Sequence, residues 1–359
     1  MAVILSARRT AVLPRGGAFA RLRIEDLAAP VVRAVLADAG LGAVQVDELI
    51  AANALGAGGN PARRVALAAG LPERVAGLTI DRQCVGGLDA ILLAAALVDS
   101  GAARVVVAGG VESYSRRPLR LATDPDGGAP VAYDQPPFTP WADRDPDMTQ
   151  AAAALAVSLG ISRPAQDDWA VESHRKALVD HDWPEIVALG GVSRDAFARR
   201  LTPALAARAK VLAGNVTAAT AAVAADAAAF VVVTRDDLAR PGALRIGPGL
   251  TLGSAPEEPG LAPVPAIAAV LARAGLLPDK LAQVEMMEAY AAQAIACVEG
   301  AGLDPARVNL RGGALARGHP IGASGAILAV RLFHDLTNGH GLAAIAAAGG
   351  LGTAVLFSR

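Results

Sequence analysis

The chain repeats itself, and this repeat limits the folds open to it more than any other feature. "AVLADAGL" at 34–41 returns as "AVLARAGL" at 269–276, 235 residues later. The same spacing sets "ELIAAN" (48–53) against "QVEMME" (283–288), each a short apolar run after a helical pattern and so a predicted strand. Further on, "VVVAGG" (105–110) pairs with "IAAAGG" (345–350), now 240 residues apart. An apolar helical run precedes each, "LDAILLAAALVDSG" (88–101) and "GAILAVRLFHDLTNGHG" (325–341). Two diverged halves sharing the order strand, helix, strand predict a layered α/β fold with two related sheets.

The 359 residues exceed the roughly 250–300 at which single cores divide. Between the halves, "RRPLRLATDPDGGAPVAYDQPPFTPWADRDPDMTQ" is rich in Pro, Asp and Gly, marking a long surface excursion. Helical patterns such as "RPAQDDWAVESHRKALVDH" follow it. The expected division is residues 1–115 with 212–240 as an N-terminal half, 116–211 as an inserted loop domain over a site, and 241–359 as a C-terminal half.

Composition narrows the function classes. Aromatics are only 3% of the chain, so small side chains must build the core. A net charge of −1 provides no electrostatic footprint for nucleic acid. Two cysteines cannot form a disulfide framework and suit a reducing, cytoplasmic setting. The opening "MAVILSARRT" lacks the order of a signal peptide. "VTAATAAVAADAAAFVVVT" (216–234) approaches bilayer-spanning length, but it is rich in Ala and Thr and carries Asp226. It is expected to form a buried helix leading into a strand, with no membrane contact.

Three glycine-rich stretches carry candidate chemistry. "DRQCVGGLDA" (81–90) places Cys84 at the start of a helix, where unpaired N–H groups favour a thiolate. "RGGALARGHPIGASGAIL" (311–328) holds His319 before Pro320, flanked by Gly318 and Gly322, with Ser324 ready to cap the next helix. It is not a phosphate loop, because no Lys-Ser/Thr follows the glycines. Under the 240-residue spacing Cys84 matches Ser324, so pseudo-twofold packing would bring Cys84 to His319. A Cys–His pair is the minimum for covalent acyl transfer. The third stretch, "AAAGGLGTAV" (346–355), reads equally as a turn or as a source of backbone donors for an oxyanion. Cys297, in "AAQAIACVEG", reads as helix core. The acidic run "DRDPDMTQ" reads as a solvated loop. His174, His181, His334 and His340 lack ligand spacing, so no metal site is expected.

Together "DRQCVGGLDA", "VVVAGGVESYS", "DWAVESHRKA", "EMMEAYAAQAIA", "GGALARGHPIGASGA" and "GGLGTAV" resemble the thiolase family over essentially the whole chain. The resemblance implies a five-layered αβαβα fold from two βαβαβαββ halves, with a loop domain covering a coenzyme A tunnel. It implies homodimers or dimers of dimers, a coenzyme A thioester as substrate, and no permanently bound cofactor. Cys84 then accepts the acyl group, His319 activates it, and backbone N–H groups of Cys84 and Ala348 hold the oxyanion. Met148, Ala222, Gly318 and Ser324 fall at substrate-binding positions.

Several positions depart from the family pattern. The Asn of its Asn-Glu-Ala-Phe segment is Met287 here, and a thioether cannot donate a hydrogen bond. The second cysteine, which handles the α-proton, is Ala346. Thr220, Ala222 and Val223 replace an Asn, a Ser and a Gly. The His-Met-Gly turn reads Asp147-Met148-Thr149. The leading expectation is an acyltransferase that loads Cys84 from an acyl-CoA or acyl-carrier protein, with altered acceptor chemistry. A working acetyl-CoA C-acetyltransferase or 3-ketoacyl-CoA thiolase would need Glu288, Tyr290 or a water in the missing roles. The third reading is a non-catalytic scaffold for a partner enzyme.

Overall fold

The computed structural model describes every residue except 57, 180 and 181. Nine strands form the main path of its large sheet: β1 (Ala2–Thr10), β2 (Glu48–Ala52), β3 (Leu78–Ile80), β4 (Val105–Ser113), β5 (Ala225–Arg235), β6 (Leu244–Gly253), β7 (Leu281–Met286), β8 (His340–Ala347) and β9 (Leu351–Ser358). Their spatial order is β7-β8-β9-β6-β1-β5-β4-β2-β3. In the first half β2 runs parallel to β4, and β5 and β1 follow antiparallel. The second half repeats this with β7 parallel to β8, then β9 and β6 antiparallel. The halves join where β1 pairs antiparallel with β6 at Val3–Arg245 and Ile4–Leu244.

The longer helices are α1 (Ile24–Ala39), α2 (Pro61–Ala69), α3 (Gly86–Asp99), α4 (Met148–Ser158), α5 (Arg163–Leu178), α6 (Pro263–Ala274), α7 (Ala291–Gly300) and α8 (Ile321–Asp335). Strand alternation explains how they form layers, because successive side chains point to opposite faces. In β5, Ala227, Ala229, Val231 and Val233 join a central core with Ile91 of α3 and Ala326 of α8. Ala228, Phe230 and Val232 face the other way, onto Val31 and Val35 of α1. In β8, Ala343 and Ile345 enter the central core, while Leu342 and Ala344 meet Ile267 and Val270 of α6. The result is the expected stack of helix, sheet, paired central helices, sheet and helix.

Strand register corrects the repeat. Glu48 pairs with Val106, and Gln283 pairs with Gly341, so each partner has its counterpart 235 residues away. The left-handed glycines ending α1 and α6, Gly40 and Gly275, keep this spacing, as do the first residues of α3 and α8, Gly86 and Ile321. The 240-residue match is therefore out of register by five residues, a coincidence between Ala- and Gly-rich strands.

The expected helix within 216–234 is also absent. Val216–Thr217 is a short strand, 218–224 form a turn with isolated bridges, and β5 runs from Ala225 with every residue but its last buried. β1 and β4 pair with β5 on its two sides, and these partners override the Ala-rich local preference. Asp226 is tolerated there because its carboxylate accepts from Ser115 N (2.9 Å) and Ser115 Oγ (2.5 Å). Among the described residues, no helix is long and apolar enough to cross a membrane.

Between β4 and β5 lie a hairpin of Arg120–Ala122 with Val131–Tyr133, then α4 and α5. Buried charges fasten this excursion to the body. Arg9 contacts Glu185 (3.2 Å) and Asp195 (2.7 Å), and Arg331 of α8 pairs with Glu185 and Asp335. The guanidinium of Arg331 also stacks over Trp183 at 4.9 Å.

Candidate active site

Cys84 sits in a single 3₁₀ turn, Gln83–Val85, running directly into α3. The preceding Gln83 is left-handed at φ 51°, a conformation that costs a non-glycine residue about 1–2 kcal/mol. Asp81 holds it there: its Oδ1 accepts from Gln83 N at 2.9 Å and from Gln83 Nε2 at 3.2 Å. α3 then crosses α8 at very short range. A Cβ on Gly87 would lie 2.7 Å from Ala326 N, and one on Gly325 would lie 2.5 Å from Leu88 N. Only glycine permits this backbone approach.

The crossing sets the loop before α8 beside Cys84. Within that loop, His319 N donates to Val223 O at 2.7 Å, fixing the backbone. His319 Nε2 is 3.1 Å from Cys84 Sγ, and Nδ1 is 2.7 Å from Ser324 Oγ. The separation between Cys84 and His319 is 235 residues, so His319 is the counterpart of Cys84 in the other half. The expected equivalence of Cys84 with Ser324 is corrected accordingly. Ser324 instead lies under the imidazole, where its hydroxyl oxygen can accept from Nδ1–H and leave Nε2 free to accept from the thiol.

The expected easy ionisation of Cys84 is corrected as well. Burial pushes the thiol up to about 12, with the backbone N–H groups of Cys84 and Ala348 opposing it and Glu112 and Asp81 adding to it. Burial likewise pushes the His319 imidazole down to about 4. Both shifts favour the uncharged forms, thiol and neutral imidazole. Desolvation outweighs the helix N-terminus because the latter acts as only about half a charge.

Glu112 was not picked out from the sequence. Its carboxylate accepts from Asn53 Nδ2 (2.7 Å), Ala54 N (3.0 Å), Leu55 N (3.3 Å) and Gly322 N (3.1 Å). It thus ties the loop after β2 to the first turn of α8, and burial holds it up at about 7. A lone carboxylate in the otherwise apolar "VVVAGGVES" strand was the available signal.

Cys84 and His319 open onto a cavity of about 460 Å³. Residues 135–158 of the excursion cover one side, and Ala346, Ala347 and Ala348 form part of another. The turn after β8 is set by left-handed Gly349 and Gly350, and the N–H of Ala348 faces the Cys84 sulfur. Of the other candidate positions, Met148 and Ala222 line the cavity, whereas Gly318 and Ser324 do not. Ala346 lines it as well, but Met287 is 2% exposed and packs into the central core.

Glu288 is outside the lining. Its oxygens accept from Ser173 Oγ (2.8 Å), Trp169 Nε1 (3.2 Å), Asn309 Nδ2 (2.7 Å) and Leu315 N (3.2 Å), making it a strut between α5 and the C-terminal half. Thr220 is tied to Thr217, whose N donates to its Oγ1 at 2.9 Å. Asp147 caps α4 by accepting from Thr149 N and Gln150 N. Cys297 is buried in α7, donates to Gly260 O at 3.1 Å, and has its thiol pushed up to about 12 by burial. His174 accepts from Arg199 N, and His334 bonds Ala7 O, while His181 lies outside the described residues. Among the described residues, no group of three or more His, Cys, Asp or Glu is placed to hold a metal.

Comparison with known proteins agrees with this architecture. Residues 2–237 match the family model "Thiolase, N-terminal domain", and residues 244–359 match "Thiolase, C-terminal domain". The chain is 40% identical to "Putative acetyl-CoA C-acetyltransferase YhfS" of Bacillus subtilis (strain 168), covering 99% of this chain and 98% of that protein. It is 33% identical to "Putative acetyl-CoA C-acetyltransferase VraB" of Staphylococcus aureus (strain MRSA252), covering 100% and 99%. The crystal structure of the Bacillus anthracis acetyl-CoA acetyltransferase superposes with a TM-score of 0.90 at 30% identity, covering 99% of this chain and 98% of that one. Acat5 thiolase from Ascaris suum in complex with coenzyme A gives a TM-score of 0.91 at 30% identity, covering 100% and 99%. With both family models matched and whole-length relatives at 30–40% identity, the chain belongs to the thiolase family of acyltransferases.

Proposed function

We propose that the chain forms an acyl thioester on Cys84 from an acyl-CoA or acyl-carrier donor, with His319 as base. The observation that carries this reading is the 3.1 Å Sγ–Nε2 contact between two residues lining the cavity, with two backbone N–H groups directed at the same sulfur. As Sγ attacks the thioester carbonyl, Nε2 takes the thiol proton. The carbonyl oxygen becomes an oxyanion facing the N–H groups of Cys84 and Ala348. The tetrahedral adduct collapses, the carbon–sulfur bond of the donor breaks, and the departing thiolate takes the proton from His319. Coenzyme A enters as part of the substrate rather than as a resident cofactor.

The acceptor step is altered on this reading. Met287 is packed in the core and Ala346 has no exchangeable proton, so neither supplies the usual Asn or Cys function. Incubation with a series of acyl-CoA donors, followed by intact-protein mass spectrometry, tests the first half-reaction. Wild type gains one acyl mass and Cys84→Ala gains none; no adduct with any donor overturns the proposal.

The names of the relatives favour a second reading, in which the acceptor is still carbon and acetyl-CoA the substrate. It requires acetoacetyl-CoA cleavage by coenzyme A that disappears in Cys84→Ala.

A further inference from the structure

With Met287 in the core and Ala346 offering a methyl group, the usual side-chain donors for an acceptor are missing. Gln293 also lines the cavity, where Oε1 accepts from Ala289 N at 3.2 Å and one of the two Nε2 hydrogens is given to Cys297 Sγ at 3.4 Å. Asp147 is spent on capping α4. Two hydroxyls of the wall form a pair. Tyr290 and Thr149 both line the cavity that holds Cys84 and His319, and their oxygens are 3.1 Å apart.

Each hydroxyl carries one proton, and one hydrogen bond between them consumes one. The other proton is free for a ligand. The backbone fixes the place of the pair, since Tyr290 bridges Ala221 and Thr149 lies in the first turn of α4. Burial raises the Tyr290 phenol above its ordinary value, against the opposing effect of Thr149, so it stays a donor at neutral pH.

We infer that the Tyr290–Thr149 hydroxyl pair donates a hydrogen bond to the thioester carbonyl of the acyl acceptor, taking over the place of the lost Asn-held donor. This rests on the Cys84 acyl-transfer reading and names the acceptor class as an acyl thioester. When an α C–H bond of that acceptor breaks, its proton passes to the neutral His319 Nε2. The electron pair moves to the carbonyl oxygen, where the Tyr290–Thr149 pair holds the developing enolate.

The probe is acetyl-CoA, with two readouts: Cys84 acetylation by mass spectrometry and loss of methyl protons into D₂O by NMR. Tyr290→Phe is expected to leave acetylation within about twofold and to slow exchange on the order of 100-fold, the usual effect of losing one oxyanion donor. Thr149→Val slows exchange less. Equal exchange in wild type and Tyr290→Phe, including no exchange in either, overturns the inference. A parallel fall in acetylation and exchange does so too, because it marks a structural role. No Cys84 adduct in wild type is a separate result, overturning the underlying reading while exchange remains measurable.

Discussion

Cys84 Sγ and His319 Nε2 meet at 3.1 Å, and the two residues are counterparts across an internal repeat of 235 residues. Each stands two residues before the first residue of a central helix, Gly86 or Ile321. Bringing the two helix starts together therefore places a thiol and an imidazole at hydrogen-bonding distance in one step. The duplication supplies the geometry of the pair, and divergence at that position gives one half a cysteine and the other a histidine.

Acylation of Cys84 should be insensitive to pH through the neutral range. The imidazole is the base in its neutral form, which persists until pH falls to about 4. The thiol stays protonated until about 12. The rate of coenzyme A release in the acylation burst should fall only near the lower value as His319 protonates. An acid limb near the ordinary histidine value would contradict this. Iodoacetamide should alkylate Cys84 slowly at neutral pH, because little thiolate is present.

His319→Ala should slow acylation by about 100- to 10,000-fold, the range for removing a positioned general base. Ser324→Ala keeps the base but removes its 2.7 Å partner. Losing about 1–1.5 kcal/mol of orientation corresponds to roughly a tenfold fall in kcat with KM little changed. Single-turnover kinetics with acetyl-CoA separates the two effects.

Gly325→Ala tests the helix crossing. The new Cβ would lie 2.5 Å from Leu88 N, which is backbone and cannot move away alone. The expected cost is on the order of 3 kcal/mol, seen as a lower urea midpoint. Acylation should also decline, because the same crossing positions Cys84 against His319. Unchanged stability would show that the helices can separate.

Acid should loosen the excursion from the body before it affects the rest. Burial alone would raise Glu185, but Arg9 and Arg331 outweigh it and hold the carboxyl at about 2, below its ordinary 4.5. The folded value is depressed, so the stabilisation is complete above the ordinary value and is lost as pH falls toward about 2. Glu185→Gln should flatten that part of the urea-stability profile and cost about 3–5 kcal/mol at neutral pH, as breaking a buried pair does.

Much of the fold was legible because local patterns encode it. The period of the apolar runs marked α3, α8, β2 and β7, and glycine-flanked Cys84 and His319 stood out as loops at helix starts. The thiolase resemblance then implied the layered fold. Register was harder to read: Ala- and Gly-rich strands match each other at many offsets, and only the pairing of Glu48 with Val106 and Gln283 with Gly341 settled it. The start of β5 was missed for a related reason, since its Ala-rich residues form a strand only between β1 and β4.

By itself, the sequence determined the duplicated α/β plan, the glycine-flanked Cys84 and His319, and the Met287 and Ala346 that depart from the thiolase pattern. Tertiary structure alone decided that burial opposes ionisation of Cys84, that Glu288 is a strut, and that Tyr290 shares a hydrogen bond with Thr149 on the cavity wall. The physical reason is range. Periodicity and turn chemistry act over a few residues, whereas desolvation and hydrogen-bond partners depend on segments that meet only when the chain has folded.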